Sequence, residues 1–124
     1  MKMGAKWIKL SVLYLLIVFA FGLFMHYTVQ LQWKTTHAHI GVVGWLTTGF
    51  IGFIYSTYKD AAETGLAKAQ FWLYNIGLPF LLVGMMMVYL DVPRWLFELF
   101  VSGGGIAVAL SVLLFFINVL KYVK

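Results

Sequence analysis

The sequence contains no cysteine and few charged residues. Cysteine is absent from all 124 positions, which excludes disulfides, thiolate metal sites and cysteine nucleophiles. Only 10% of the residues are charged and 63% are hydrophobic, whereas a soluble domain is roughly 25% charged and roughly 45–50% apolar. Because these few charges cannot cover the surface of a soluble globule, the composition indicates an integral membrane protein.

The motifs of several common enzyme classes are also missing. The sequence has no Walker loop, no His-Glu-x-x-His motif and no Ser-His-Asp set. The formal net charge of +5 does not indicate nucleic-acid binding, because the cations lie at the ends of apolar runs and are not clustered on one face. We therefore expect the lipid bilayer, and not nucleic acid, as a partner.

Four apolar runs predict an all-α, polytopic membrane protein with four transmembrane helices in a single domain over residues 1–124. Roughly 20 apolar residues cross about 30 Å of hydrocarbon. The first run is longer than the apolar stretch of a signal peptide and no small-residue cleavage site follows it, so we expect it to be retained. A four-helix bundle is the simplest fold. The predicted helices cover residues 7–27, 37–58, 69–90 and 94–121.

The distribution of cations predicts the orientation in the membrane. With the N-terminus inside, seven lysines lie on the inner side, and only Lys34 and Arg94 lie on the outer side. This is a positive-inside bias. We therefore expect a multi-pass protein of the plasma membrane with cytoplasmic N- and C-termini. The inner lysines are Lys2, Lys6, Lys9, Lys59, Lys68, Lys121 and Lys124.

All three histidines are predicted to lie near the outer surface. His26 closes the first helix, and His37 and His39 open the second after a short loop. We expect them in one layer of the membrane, where ionisable residues are costly and often functional. They are candidate metal ligands. A histidine near the interface can also simply hydrogen-bond to lipid headgroups or water.

His37 and His39 are predicted to serve two different sites. Residues two apart on an α-helix point about 200° from each other. The stripe of small residues below His37 has two interpretations: close helix packing, or a groove for a flat macrocycle beside an axial histidine. In an α-helical register His37 lies above Gly41, Gly44, Thr48 and Gly52, and His39 lies above Val43, Leu46, Phe50 and Phe53.

Two segments carry a resemblance to a known family. THAHIGVVGW at residues 36–45 and FWLYNIGLP at residues 71–79 resemble the small, subunit I-like relatives of the haem-copper oxidase and nitric oxide reductase superfamily. The resemblance covers the second and third helices, and the other two helices match in hydropathy alone. The His-x-His sequence followed by glycine is its most specific element.

The resemblance implies an oligomeric haem protein. The large catalytic subunit of these oxidases has twelve helices in three arcs of four, so a homotrimer of this chain would rebuild that ring. His37 of one protomer and His39 of its neighbour would then ligate one b-type haem iron, with Gly41 and Gly44 beside the ring. The expected function is electron transfer, or redox or gas sensing, with a possible quinol or redox partner.

The sequence departs from the family at the copper site. It has no consecutive pair of histidines, and no tyrosine can be placed as the cross-linked partner of a copper ligand. We therefore do not expect a complete oxygen-reducing centre, and a binuclear site would require His26. Arg94 is a candidate partner for haem propionates by charge complementarity. It is also predicted to pair with Glu98 one turn later.

Two alternative functions are also consistent with the sequence. Met25 and the run Met85-Met86-Met87 lie near the predicted outer surface with the histidines. Thioethers and imidazoles suit copper(I), which predicts a copper-handling protein, although methionine more often serves as a flexible packing residue. The second alternative is a cofactor-free accessory subunit held by helix packing alone.

Overall fold

Four long helices account for most of the chain. The computed structural model describes all 124 residues, of which 88% are helical, and it contains no strand. This confirms the all-α class and the four helices long and apolar enough to cross a membrane. These are α1 (Met3–Thr28), α2 (Leu31–Thr57), α4 (Gly65–Met87) and α5 (Arg94–Tyr122). A short helix, α3 (Lys59–Ala62), lies between α2 and α4.

The last long helix begins at Arg94 as predicted, and the other three begin earlier than the apolar runs indicate, because their first turns contain polar residues. A 3₁₀ turn over Leu31–Trp33 opens α2 six residues before the predicted start at 37. Thr64 caps α4: its Oγ1 atom accepts a hydrogen bond from the Ala67 N–H over 3.0 Å, which satisfies an otherwise unpaired donor of the first turn. The end of α4 comes at Met87, before the predicted residue 90.

The helices form two compact units, Met1–Thr57 and Tyr58–Lys124. In the first unit α1 packs against α2 through small residues. A Cβ atom added to Gly44 would lie 2.7 Å from Cδ1 of Tyr14, and one added to Gly52 would lie 3.0 Å from Cβ of Trp7. Backbones approach this closely only where one helix lacks a side chain.

The middle of α2 is a π-helix over Ile40–Leu46. Between residues 36 and 48 of α2, the buried positions therefore recur every four residues, at Thr36, Ile40, Gly44 and Thr48. An α-helical period instead places His37 and Gly41 in line with Gly44. A π turn inserts one extra residue, which rotates the preceding segment by roughly 100°. From Gly44 onward, the predicted stripe of small residues is the buried face of α2. Before Gly44, the buried positions lie one residue earlier than the predicted ones.

In the second unit α4 and α5 run antiparallel and are also joined through glycines. A Cβ atom on Gly77 would lie 2.7 Å from Cβ of Ala107, and one on Gly104 would lie 2.9 Å from Cα of Leu81. Gly84 meets Val101 in the same way. The predicted close-packing role of the small residues therefore extends to this helix pair.

Buried polar side chains join the ends of α4 and α5. Asn118 is fully buried; its Nδ2 donates to the Ala61 carbonyl over 2.8 Å and its Oδ1 accepts from the Thr64 hydroxyl over 2.9 Å. The buried Ser111 hydroxyl donates to the Gln70 carbonyl over 2.8 Å. Because unpaired polar groups are costly in an apolar environment, these bonds fix the register of the two helices.

Candidate functional site

His39 is the histidine whose geometry suits a metal ligand. It is half-buried at the end of the first α-helical part of α2, directly before the π-helix. Its Nδ1 lies 2.9 Å from the Thr35 carbonyl oxygen. Because a carbonyl only accepts, Nδ1–H is the donor and Nε2 carries the lone pair. A backbone carbonyl that orients the ring in this way is the usual support of a ligating histidine.

His37 is turned instead toward α1 of the same chain. Its Nε2 donates to the Val18 carbonyl over 3.1 Å. Its ring stacks on Phe21, with centroids 6.3 Å apart and planes 20° from parallel. A Cβ atom on Gly22 would lie 2.9 Å from Nε2, so the glycine makes room for this contact. The nitrogen that most often ligates haem iron is therefore already occupied within the protomer.

His26 lies apart from this pair. It is exposed in the last turn of α1 and makes an edge contact with Tyr27 at 4.9 Å. His37 contacts α1 at Val18, which lies about 12 Å below His26 along the helix at 1.5 Å per residue. No group of three or more His, Cys, Asp or Glu side chains is arranged to hold a metal ion. His26, His37 and His39, which were expected in one layer of the membrane, therefore do not form a single set of metal ligands.

The glycine stripe is a packing surface at its centre. Tyr14 covers Gly44, and Val18 Cγ2 lies at an ordinary 3.7 Å from the Cβ position of Gly41. Gly44 therefore serves close helix packing, because the ring of Tyr14 fills the space beside it that a macrocycle was expected to occupy. Beside His37 there remains an open cleft of about 320 Å³, lined by Val18, Phe19, Gly22 and Leu23.

The opposite side of α2 is the bulky, apolar face predicted from the sequence, and its aromatic side chains are exposed. Phe50 is 62% exposed and Phe53 is 64% exposed. They border a groove of about 420 Å³ between α1 and α2 that contains a single polar side chain, Ser11. Such a surface suits lipid chains or a hydrophobic ring. The other lining residues are Ile8, Val12, Trp45, Leu46 and Gly49.

Arg94 begins α5 in the second unit. Its Nη2 lies 3.7 Å from Oε1 of Glu98, with 89% of the arginine side chain exposed. The other carboxylate oxygen of Glu98 accepts a hydrogen bond from the Ser102 hydroxyl over 2.7 Å. The predicted Arg94–Glu98 pair is confirmed. Exposed pairs of this kind are weak, so the guanidinium remains available to a stronger anion, and its assignment to haem propionates stays a prediction.

The methionines of the predicted copper layer lie among packed side chains. Met25 is buried at the end of α1, and Met85, Met86 and Met87 are half-buried at the end of α4. Burial of this kind is typical of methionine that fills gaps between helices. The copper interpretation stays a prediction.

The π-helix is the feature near the site that hydropathy and spacing missed. Seven residues beginning directly after His39 adopt it, and π-helical turns occur frequently at functional sites. A fixed period of 3.6 residues cannot reveal such a segment. The closest signal in the sequence is the Thr47-Thr48 pair, whose hydroxyls both bond back to carbonyls of the π segment.

No protein-family model, curated protein or solved structure matches this chain. The functional assignment therefore depends on its own residues and their geometry. The decisive contrast in that geometry is between His39, whose Nε2 bears the lone pair, and His37, whose Nε2 donates to α1.

Proposed function

We propose that this chain is a haem b-binding membrane protein that transfers electrons, and that Nε2 of His39 would hold the haem through its iron. The observation that carries the proposal is the bond from His39 Nδ1–H to the Thr35 carbonyl. It orients the ring and, in the neutral imidazole, leaves the lone pair on Nε2. Bound haem would supply a one-electron iron couple.

The surroundings of α2 suit a large apolar ring. The side chains that follow His39 on the exposed side of α2 are apolar, and Val42, Leu46 and Phe50 are each more than half exposed. A porphyrin ring placed against them would replace lipid contacts with aromatic and aliphatic ones. The resemblance of residues 36–45 to the oxidase family points to the same cofactor.

A second histidine ligand would require a second protomer. His37 and His39 lie in the same α-helical stretch and point about 200° apart, so both cannot reach one iron within a chain. In the proposed homotrimer, His37 of a neighbouring protomer would help to hold the haem, which would require its Nε2 to exchange the Val18 carbonyl for the iron. Closed cyclic symmetry repeats this contact around the ring.

The remaining elements of the proposal follow from charge. The seven lysines at the predicted inner side support insertion in the plasma membrane with cytoplasmic termini. Arg94, on the predicted outer side, is the proposed partner of a haem propionate. A membrane-soluble reductant such as a quinol is the proposed electron donor, since both helices of the first unit expose apolar side chains.

Single histidine variants test the proposal. His39→Ala removes the lone pair that binds iron, so the purified protein should retain less than about a tenth of the wild-type haem, since loss of even a group that only supports a metal ligand costs roughly 10–100-fold in affinity. Added imidazole should restore part of the haem binding. His37→Ala should leave haem bound but convert it from six- to five-coordinate. Haem content per chain and the absorption spectrum report both results.

His26→Ala is the matched control, because His26 is exposed and lies apart from the other two histidines. Its haem content should equal that of the wild type. Full haem occupancy in the His39→Ala protein would contradict the assignment of the ligand. Copper uptake by a colourless wild-type protein would instead favour the copper-handling function.

A further inference from the structure

The π-helix of α2 is held at its end by one side chain. Both the backbone N–H and the Oγ1 hydroxyl of Thr47 donate to the carbonyl of Val42, five residues earlier, and the hydroxyl bond is 2.7 Å long. A threonine in an α-helix bonds to the carbonyl three or four residues back, as Thr57 does with Phe53 on the same helix. The hydroxyl of Thr47 therefore adds a bond specific to the π register.

The π register decides which residues of the N-terminal half of α2 are buried. Thr36 is 3% exposed and Ile40 is 5% exposed, in line with the buried Gly44. Without the extra residue of the π turn, this half of the helix would rotate by roughly 100°. His37 and Gly41 would then take the buried positions, and the direction of His39 would change by the same angle.

We infer that Thr47 is a positioning residue of the histidine site: its hydroxyl bond to Val42 holds the π-helix and thereby sets the direction in which α2 presents His39. The inference rests on the proposed function where it concerns haem. The coupling of Thr47 to the helix register can be measured without a cofactor. Thr47 lies eight residues from His39 and does not touch the ring, so it acts only through the backbone.

The absence of cysteine allows a direct test of the register. Thr36→Cys places the one thiol of the protein at a buried position near the N-terminal end of α2. Ala38→Cys places it at an exposed position and serves as a positive control. In the Thr36→Cys protein, adding Thr47→Val removes the hydroxyl but keeps the shape of the side chain. The maleimide labelling rate of Cys at 36 should rise roughly fivefold, the population shift that loss of one hydrogen bond produces.

Two matched variants complete the experiment. Thr47→Ser keeps the hydroxyl and should restore protection, and Thr57→Val removes an ordinary α-helical hydroxyl bond and should leave labelling unchanged. Equal protection with Thr47→Val would overturn the inference. If the valine variant does not fold, Thr47→Ala serves in its place, because Thr47 is not buried and alanine favours helix.

Deletion of Val43 removes the extra residue of the π turn by construction. In the α-helix that results, position 36 keeps the direction that the π turn gives it, since each residue turns the helix by roughly 100°, so Cys at 36 should stay protected. Adding Thr47→Val to the deletion protein should then leave labelling unchanged, because no π register remains to be held. A similar rise in labelling with and without the deletion would show that Thr47→Val acts by another route, and the inference fails.

The haem readout separates this inference from the proposed function. In haem-loaded protein, Thr47→Val should lower haem content several-fold and change the low-spin spectrum, and Thr47→Ser should recover both. A wild-type protein without haem would refute the proposed function, while thiol labelling would still decide the role of Thr47 in the register. Unchanged haem ligation alongside increased labelling would overturn the link from Thr47 to His39.

Discussion

His39 and His37 stand two residues apart and differ in which ring nitrogen carries the proton. The Thr35 carbonyl, 2.9 Å from Nδ1 of His39, leaves Nε2 of that ring for a metal. The Val18 carbonyl, 3.1 Å from Nε2 of His37, ties that ring to α1. The sequence marked both residues as candidates by type and spacing. It could not rank them, because the ranking depends on carbonyl partners that only the folded backbone provides.

Gly103 and Gly104 are neighbours in α5 but differ in the space around them. A Cβ atom on Gly104 would collide with the backbone of Leu81, whereas one on Gly103 has nothing within 4 Å. Gly104→Ala should therefore destabilise the packing of α4 and α5 by about 1–3 kcal/mol, the usual cost of overpacking. Gly103→Ala should be neutral or slightly stabilising because alanine favours helix. Thermal unfolding in detergent measures both, and equal midpoints would contradict the close contact.

At the scale of elements, hydropathy predicted the existence of all four long helices and missed details of their beginnings and register. An 18- to 20-residue apolar window detects the centre of a membrane helix, but polar first turns such as the one capped by Thr64 fall outside it. The π-helix over Ile40–Leu46 was missed, because the prediction of faces assumed a constant 3.6-residue period. The one extra residue of the π turn places Thr36 at the buried position that a constant period assigns to His37.

The junction of α3, α4 and α5 yields a prediction about coupled elements. Asn118 accepts a hydrogen bond from Thr64 and donates one to the Ala61 carbonyl. Thr64→Val and Asn118→Leu should each destabilise the protein, and the double variant should cost less than their sum. The expected coupling is about 0.5–1.5 kcal/mol, the usual worth of one hydrogen bond.

A double-mutant cycle by chemical denaturation measures this coupling. The control cycle pairs Asn118→Leu with Ser102→Ala, since these residues lie about 24 Å apart along α5 at 1.5 Å per residue. Its two changes should add. A coupling of zero between Thr64 and Asn118 would show that their hydrogen bond does not join the helices in solution.

For the molecule as a whole, composition and the four apolar runs predicted the fold class. The 63% hydrophobic and 10% charged residues indicate a membrane protein, and the four helices are long and apolar enough to cross a membrane. The proposed trimer, the orientation and the haem depend on surfaces and partners outside one chain. Periodicity and hydropathy describe a single helix and its solvent, so they carry little information about such contacts.

Haem binding by this chain can be tested with an oxidised-minus-reduced absorption spectrum of the detergent-purified protein. The protein should be expressed with ample haem, and haem and metals should be quantified per chain. We expect a sharp Soret band and split α and β bands, with about one haem per chain shared around an oligomer, as for six-coordinate iron with histidine ligands. A featureless spectrum would refute haem binding and leave the histidines with a structural role.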